Sequence, residues 1–253
     1  MAPDSSSSDP DSYQLYSLGD FTLQNGTTIP QAQIAYKTLG DPSNPAIIYP
    51  TWYSGLISSN LWLTGSDKTL DPKNYYIIIP ALFGNGQSTS PSNWEFKGKQ
   101  PFPRVSFYDN VRAQHELVTK GLGLKRVYAV LGWSMGAGQT YQWATQFPDF
   151  LDVAVPFCGS ARTSLHNQVF LEGVKAALLG PKSAVSGGLC EADVEKGGFS
   201  QAFYREKLYE TVLGFKDLED FMKNFWEAWA LSKDPENMLT MLYTWQSGDV
   251  SKQ

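Results

Sequence analysis

One pentapeptide constrains this chain more than any other feature: Gly132-Trp133-Ser134-Met135-Gly136, an instance of the pattern G-x-S-x-G. It follows the apolar, strand-like run RVYAVLG at 126–132 and opens the helical pattern MGAGQTYQWATQFP at 135–148. The two glycines permit a strained strand-to-helix turn, which exposes Ser134 to a base on one side and a substrate on the other. The pattern predicts that Ser134 is a catalytic nucleophile; the alternative is an ordinary N-cap serine in a glycine-rich turn.

The order of the other elements indicates a mostly parallel sheet. Short apolar runs bounded by Pro, Asn or Gly are typical of strands buried on both faces, and they alternate with helical patterns from residue 46 to 159. A helix is predicted at 108–121. The buried strands are predicted at AIIYP (46–50), YYIIIPAL (75–82), RVYAVLG (126–132) and LDVAVPFCG (151–159). This alternation predicts the α/β class, with helices on both faces of the sheet.

Composition divides the chain into three parts. Residues 1–12 are acidic and serine-rich, which predicts a flexible tail, and residues 13–160 carry the strands of the predicted α/β core. Residues 161–253 have helical patterns and no convincing strand, which predicts an all-helical cap. The cap is rich in aromatic residues, which indicates either a large apolar substrate or a packed helical core: Phe221, Phe225, Trp226, Trp229, Tyr243 and Trp245.

Charge and cysteine content exclude several classes of function. A formal net charge of -5 gives no basic surface for nucleic acid or for an anionic membrane. No apolar run reaches the roughly 20 residues of a membrane span, and the N-terminus lacks the apolar core of a secretory signal. Cys158 and Cys190 are too few for a disulfide framework and lack metal-ligand spacing. We therefore expect no metal site, a buried free thiol at Cys158 and a cytoplasmic location.

Two loops bear on the predicted site. Pro50-Thr51-Trp52-Tyr53-Ser54-Gly55 follows a predicted strand, so the backbone N–H of Trp52 or Tyr53 is a candidate oxyanion donor, and Met135 at the start of the helix is the other. Gly84-Asn85-Gly86-Gln87-Ser88 lacks the lysine of a phosphate loop and the full dinucleotide fingerprint. We therefore expect no nucleotide cofactor there and place this loop near the rim of the active site.

Long segments outside the pentapeptide resemble one family, the homoserine O-acetyltransferase-like branch of the α/β-hydrolases. LFGNGQSTSPS (82–92) is similar to its glycine-rich segment. Residues 108–149 are similar to its helix, strand, serine turn and following helix, and SARTSLHNQVF (160–170) to the segment that leads into its helical cap. The resemblance covers roughly residues 30–250 and implies an α/β-hydrolase fold with an all-helical cap.

The resemblance also implies a ping-pong reaction with no bound cofactor. Ser134 would take an acyl group from a small-molecule donor, commonly acetyl-CoA or another acyl-CoA, and pass it to an alcohol acceptor, whereas relatives that use water act as esterases. Met135 and the 51–53 loop would supply the oxyanion donors. Two departures speak against homoserine as the acceptor. Trp133 and Ala137 stand where the family has glycines, and PTWYSG replaces a histidine-containing loop.

The serine needs a general base, and the sequence contains only two histidines. His115 precedes the serine and His166 stands at the entry to the cap, and for both a structural role is the better interpretation. We therefore expect that the triad Asp and His, with the last strands of the fold, are absent from this chain. The strand at 152–157 would then have an unpaired apolar edge, through which the chain would dimerise or pair with a missing C-terminal segment.

Two functions stay open at this point. The first is a serine acyltransferase or esterase whose catalysis needs that absent segment. The second is a catalytically impaired binding or scaffold protein that retains the serine turn, because loss of a triad base leaves only residual catalysis.

Overall fold

The computed structural model describes residues 9–96, 100–179, 208–211 and 213–252. The chain divides into two compact units, one formed by residues 1–165 with 236–253 and the other by residues 166–235. None of the described helices combines the length and the apolar character that a bilayer span requires.

The first unit is built on a six-stranded sheet in the order β1-β2-β4-β3-β5-β6. The strands are β1 Gln14–Thr22, β2 Thr28–Leu39, β3 Ala46–Ile48, β4 Tyr76–Pro80, β5 Val127–Trp133 and β6 Leu151–Phe157. Strands β1 and β2 run antiparallel to their neighbours, whereas β4, β3, β5 and β6 are parallel to one another. The predicted α/β fold with a mostly parallel sheet is confirmed.

Both faces of the central strands are buried, because alternate side chains enter two different apolar clusters. The first cluster includes Ile47, Ile77, Ile79, Ala129 and Leu131. The second includes Ile48, Ile78, Val127 and Val130. A 3₁₀ helix at Ile57–Leu63 packs on the first cluster. Helices α1 (Phe107–Glu116) and α2 (Met135–Gln146) contribute Val111 and Trp143 to the second.

The helix predicted at 108–121 is α1 followed by a π-helical turn at Leu117–Gly121. Ser106 begins α1 with a capping box, because its hydroxyl accepts the N–H of Asp109 while the Asp109 carboxylate accepts the N–H of Ser106. Helix α2 begins directly after Ser134 and ends at Gln146, two residues before Pro148, as the proline predicts.

Strand β6 lies at the edge of the described sheet and pairs only with β5. Val153 and Val155 are 40% and 39% exposed, and Ala154 is also exposed, whereas Phe157 is half-buried against the first cluster. The prediction of an apolar edge strand is confirmed. The expectation of a buried thiol is wrong: Cys158 follows β6 at φ 54° and is exposed, because the end of an edge strand is left uncovered. Cys190 lies outside the described residues.

The described residues of the second unit are helical and contain no strand. Its elements are α3 Leu165–Leu179, α4 Leu208–Thr211, α5 Leu218–Phe221, a π-helical segment Met222–Glu227 and α6 Ala228–Leu231. Aromatic rings pack against one another here: Phe221 stacks on Phe225 at 5.2 Å and on Tyr209 at 5.6 Å between ring centroids. These contacts favour the interpretation of the aromatic residues as a packed helical core.

The last helix, α7 (Pro235–Gln246), lies in the part of the chain predicted as cap, 161–253. In the structure, however, residues 236–253 belong to the first unit. The Thr244 hydroxyl donates to the carbonyl oxygen of Val105 at 2.8 Å. Asn237 and Ser92 are joined by two hydrogen bonds of 2.8 and 3.0 Å. Gly84 permits the close approach, since a Cβ at that position would lie 2.5 Å from the Thr240 methyl group.

The predicted tail of residues 1–12 falls partly outside the described residues, which begin at residue 9. Residues 9–12 are hydrogen-bonded to the sheet through Lys37, whose Nζ donates to the carbonyl oxygens of Asp9 and Ser12 and to the Ser12 hydroxyl at 2.8–2.9 Å. A lysine that is only 9% exposed needs such acceptors, and these contacts connect residues 9–12 to strand β2.

Candidate active site

Ser134 lies in a strained turn between β5 and α2, with φ 55° and ψ -119°. Residues with a Cβ rarely adopt this left-handed conformation. The Ser134 N–H donates to the carbonyl oxygen of Phe157 at 3.1 Å, and the Ser134 carbonyl oxygen accepts the N–H of Ala137 at 3.0 Å. Its side chain does not cap the helix. Ser134 therefore occupies the N-cap position of α2 without capping it, and its hydroxyl makes no hydrogen bond within the described part of the chain.

Three glycines make room for this turn. A Cβ at Gly132 would lie 2.1 Å from the carbonyl oxygen of Gly136, so strand and helix meet there with no space for a side chain. A Cβ at Gly159 would lie 2.4 Å from the carbonyl oxygen of Ser134. The G-x-S-x-G pattern identifies Gly132 and Gly136. It does not identify Gly159, which approaches the turn from the end of the neighbouring strand β6.

The backbone N–H of Met135 is available to a ligand, because it makes no hydrogen bond within the described part of the chain. As the first residue of α2 it has no partner one turn earlier in the helix. Its side chain is 1% exposed and packs inward. The positive end of the helix dipole therefore lies beside the serine, where negative charge would be stabilised.

The loop after β3 approaches the same helix end. A Cβ at Gly136 would lie 3.1 Å from the carbonyl oxygen of Pro50. The N–H of Thr51 donates to the carbonyl oxygen of Pro80 at 3.1 Å, which ends the pairing of this segment with β4. The next two N–H groups, of Trp52 and Tyr53, make no hydrogen bond in the described residues. Three unpaired backbone donors thus belong to the two segments that the sequence predicted to form an oxyanion site.

Side chains of the glycine-rich loop at 84–88 form hydrogen bonds with the backbone of residues 55–57, which follow the candidate oxyanion loop. The Gln87 side-chain oxygen accepts the N–H of Ile57 at 2.8 Å, and the Asn85 amide donates to the carbonyl oxygen of Gly55 at 3.3 Å. These contacts support the expected place of residues 84–88 near the rim of the site. Gly55 packs on the Trp52 indole, since a Cβ at Gly55 would lie 3.1 Å from the indole ring.

Aromatic rings pack on Trp133, the residue before the serine, and on Tyr53 of the loop after β3. Trp133 meets Trp52 edge-on at 4.8 Å and Trp62 at 6.1 Å between ring centroids. Tyr53 contacts Trp245 of α7 at 5.6 Å. The Tyr53 hydroxyl is buried without a hydrogen-bond partner in the described residues, and burial raises the pKa of this phenol well above its usual range. The residue before the serine and the candidate oxyanion loop are therefore packed among aromatic rings.

Neither histidine is paired with the serine. His115 stacks on Phe147 at 3.8 Å between ring centroids and also contacts Phe150, at the C-terminal end of α2 and thus away from Ser134. Burial lowers the pKa of His115. His166 is exposed near the start of α3 and belongs to the second unit. The structural roles expected for both histidines agree with these positions.

Comparison with known proteins identifies the family. Residues 45–172 match the family model described as alpha/beta hydrolase fold. The ethyl acetate hydrolase of Pseudomonas veronii is 36% identical over 95% of this chain and 73% of the relative. A homoserine O-acetyltransferase of Methanohalophilus mahii is 29% identical over 72% of this chain and 42% of the relative.

A solved structure agrees with these sequences. The crystal structure of an acetylester hydrolase from Corynebacterium glutamicum superimposes with a TM-score of 0.85 at 32% identity, over 96% of this chain and 74% of that one. The predicted family is therefore confirmed, and the relatives that share it are enzymes. The chain belongs to the alpha/beta hydrolase fold family, in the branch that includes these acetyl esterases and the homoserine O-acetyltransferases.

Proposed function

We propose that this protein hydrolyses small, uncharged esters through an acyl-enzyme formed on Ser134. The observation that carries the proposal is the strained Ser134 turn, whose hydroxyl has no hydrogen bond in the described residues. The N–H groups of Met135 and of Trp52 and Tyr53 in the loop after β3 are likewise unpaired there. A general acyl-transfer enzyme needs this combination of nucleophile and oxyanion donors.

In the first half-reaction the Ser134 oxygen attacks the ester carbonyl carbon as its proton passes to a base. The carbonyl oxygen becomes an oxyanion, which accepts hydrogen bonds from the N–H of Met135 and of the 51–53 loop. The bond to the alkoxy group then breaks, the proton returns to the departing alcohol, and the acyl group stays on Ser134. Water repeats the attack in the second half-reaction and releases the acid and the free serine.

The apolar surroundings favour an ester without charged groups. The rings that contact Trp133 and Tyr53 are Trp52, Trp62 and Trp245, and none of these contacts involves an ionised side chain. Homoserine carries an ammonium and a carboxylate, which an apolar wall desolvates without compensation. The names of the relatives, an ethyl acetate hydrolase and an acetylester hydrolase, support the same choice of substrate and of water as acceptor.

An acyltransferase is the second candidate, supported by the similarity to homoserine O-acetyltransferases. In that case an acyl-CoA is the donor and an alcohol replaces water in the second half-reaction. No bound cofactor is needed for either reaction, because the serine itself carries the acyl group.

The reaction needs a general base that accepts the Ser134 proton, and the described residues offer no candidate for it beside Ser134. We propose that a triad Asp and His reach the serine from a further segment that pairs with the free edge of β6. The exposed Val153 and Val155 support this, since an unpaired apolar edge strand accepts another strand readily. Pairing with a second copy of the chain is the alternative occupant of that edge.

Covalent labelling tests the proposal. We expect a fluorophosphonate probe to label the intact protein at Ser134, and Ser134→Ala to abolish both labelling and hydrolysis of ethyl acetate. Ser43→Ala, at an exposed serine in the turn before β3, serves as the matched control and keeps both.

The same assay separates the candidates. Labelled protein that acetylates an alcohol from acetyl-CoA faster than it hydrolyses ethyl acetate supports the acyltransferase. Absence of labelling and turnover in folded protein that includes the segment with the triad Asp and His contradicts the enzyme and supports the binding or scaffold protein.

A further inference from the structure

A chain of buried side-chain amides connects helices α1 and α2 to the loop after β3. The Trp143 indole N–H donates to Gln114 Oε1 at 2.8 Å, and Gln114 Nε2 donates to Gln139 Oε1 at 2.6 Å. Gln139 Nε2 donates to the carbonyl oxygen of Thr51 at 2.8 Å. All four residues are 0% exposed.

The last bond of this chain fixes the direction of one peptide group. The Thr51 carbonyl and the Trp52 N–H belong to the same planar trans peptide and point in opposite directions. A Thr51 carbonyl held by Gln139 therefore turns the Trp52 N–H away from Gln139, on the loop that approaches the first turn of α2. That N–H makes no hydrogen bond in the described residues.

The neighbouring carbonyl groups are held as well. Asn60, which is 0% exposed, donates through Nδ2 to the carbonyl oxygens of Tyr49 and Pro50 at 2.9 and 3.2 Å. Three successive carbonyl groups of the loop, those of residues 49–51, thus accept side-chain amides. The orientation of the Tyr53 N–H is fixed by a different contact. It belongs to the Trp52–Tyr53 peptide, whose carbonyl oxygen accepts the N–H of Gly55.

Burial of two glutamine side chains has a cost that apolar packing avoids, because an amide without partners loses its hydration. Here the hydrogen bonds all run in one direction, from Trp143 through Gln114 and Gln139 to Thr51. Each glutamine accepts through its side-chain oxygen and donates through its side-chain nitrogen to the next residue in this order. The amides therefore fix an orientation, which an aliphatic side chain of the same volume does not supply.

We propose that Gln139 is a positioning residue for catalysis, which orients the Thr51–Trp52 peptide so that the Trp52 N–H is the oxyanion donor opposite Met135. Gln114 supports it by holding the Gln139 amide in the required rotation. The inference rests on the proposed function, because it concerns the oxyanion that forms when Ser134 attacks an ester.

The test compares Gln139→Met with Gln142→Met in the intact protein. Gln142 lies on the same helix and is 1% exposed, and in the described residues its side-chain amide donates only to Gln146, within α2. We expect Gln139→Met to lower kcat about 10- to 100-fold, since loss of one oxyanion donor lowers kcat about 10²- to 10³-fold and a misdirected donor retains part of its effect. KM is expected to change less than about two-fold, because the donor acts on the oxyanion and not on the bound ester.

Two readouts distinguish positioning from a loss of folded protein. Rates are expressed per site titrated with the fluorophosphonate probe, so that unfolded molecules do not count. The inhibition constant of a trifluoromethyl ketone, which forms an oxyanion on the serine, is expected to rise by the same factor as kcat/KM falls. Gln114→Met provides the second variant if Gln139→Met does not fold, with a smaller loss in the same direction.

The outcomes separate this inference from the proposed function. Failure of the parent protein to label at Ser134 overturns the proposed function. A labelled parent whose Gln139→Met variant keeps kcat per site, or loses no more than Gln142→Met does, overturns the positioning role alone.

Discussion

The strained backbone at Ser134, the proposed nucleophile, predicts that this residue lowers the stability of the protein. Its φ of 55° and ψ of -119° lie in a region that suits glycine and disfavours any residue with a Cβ. Because the serine side chain makes no hydrogen bond in the described residues, little is lost when it is removed. We therefore expect Ser134→Gly to be more stable than Ser134→Ala, although neither variant is active.

The magnitude follows from two opposing terms. Relief of a strained residue is worth about 1–3 kcal/mol. Glycine loses about 0.5–1 kcal/mol relative to alanine, because its unfolded chain is more flexible. The difference leaves Ser134→Gly more stable by up to about 2.5 kcal/mol, which corresponds to a Tm higher by up to about 10 °C for a chain of this size.

Thermal unfolding of the two variants, followed by calorimetry, measures this difference. The pair Ser43→Gly and Ser43→Ala is the control, since Ser43 is exposed and is not among the residues with positive φ. There we expect the glycine variant to be the less stable. A Ser134→Gly variant that melts below Ser134→Ala, as the control pair does, would refute the claim of backbone strain at the nucleophile.

Three further predictions follow from the same structure. Gly132→Ala is expected to lower kcat by about 100-fold or more, because its Cβ would lie 2.1 Å from the Gly136 carbonyl oxygen, whereas Gly173→Ala, with nothing within 4 Å, leaves kcat unchanged in the same esterase assay. Burial lowers the pKa of His115, so below about pH 6.5 the unfolded chain binds a proton more readily than the folded one. Urea unfolding at pH 8 and 5.5 should therefore show the parent losing more stability than His115→Phe, and an equal loss contradicts this. Cys158 is exposed at the end of β6, so the folded 253-residue chain without a partner on that edge should react rapidly with Ellman's reagent. Cys158→Ser should lack that one equivalent, and an unchanged fast phase counts against this exposure.

Most of the fold could be predicted from patterns in consecutive residues of the sequence. The apolar runs at 46–50, 75–82, 126–132 and 151–159 contain β3, β4, β5 and β6, because burial on both faces leaves a signature in consecutive residues. The serine turn was identifiable for a similar reason, since its glycines are separated from Ser134 by a single residue each. Both signals are short in sequence and need no knowledge of distant contacts.

Contacts between distant residues were not accessible in the same way. Gln139 and Thr51 are far apart in the sequence, and nothing in either segment shows that a side chain of one holds a carbonyl group of the other. The place of α7 depends on the fit between Gly84 and Thr240, which hydrophobic periodicity does not report. The exposure of Cys158 depends on what covers β6, and an apolar run predicts a strand without showing how many neighbours it has.

The hydrogen bond from the Ser134 N–H to the Phe157 carbonyl oxygen links the nucleophile to the last residue of the edge strand. Gly159, just beyond, touches the Ser134 carbonyl from the same side. A strand that pairs with β6 would therefore lie one hydrogen bond away from the backbone that carries the serine. If a further strand pairs with β6 as we propose, we therefore expect its pairing and the alignment of the proposed nucleophile to be coupled.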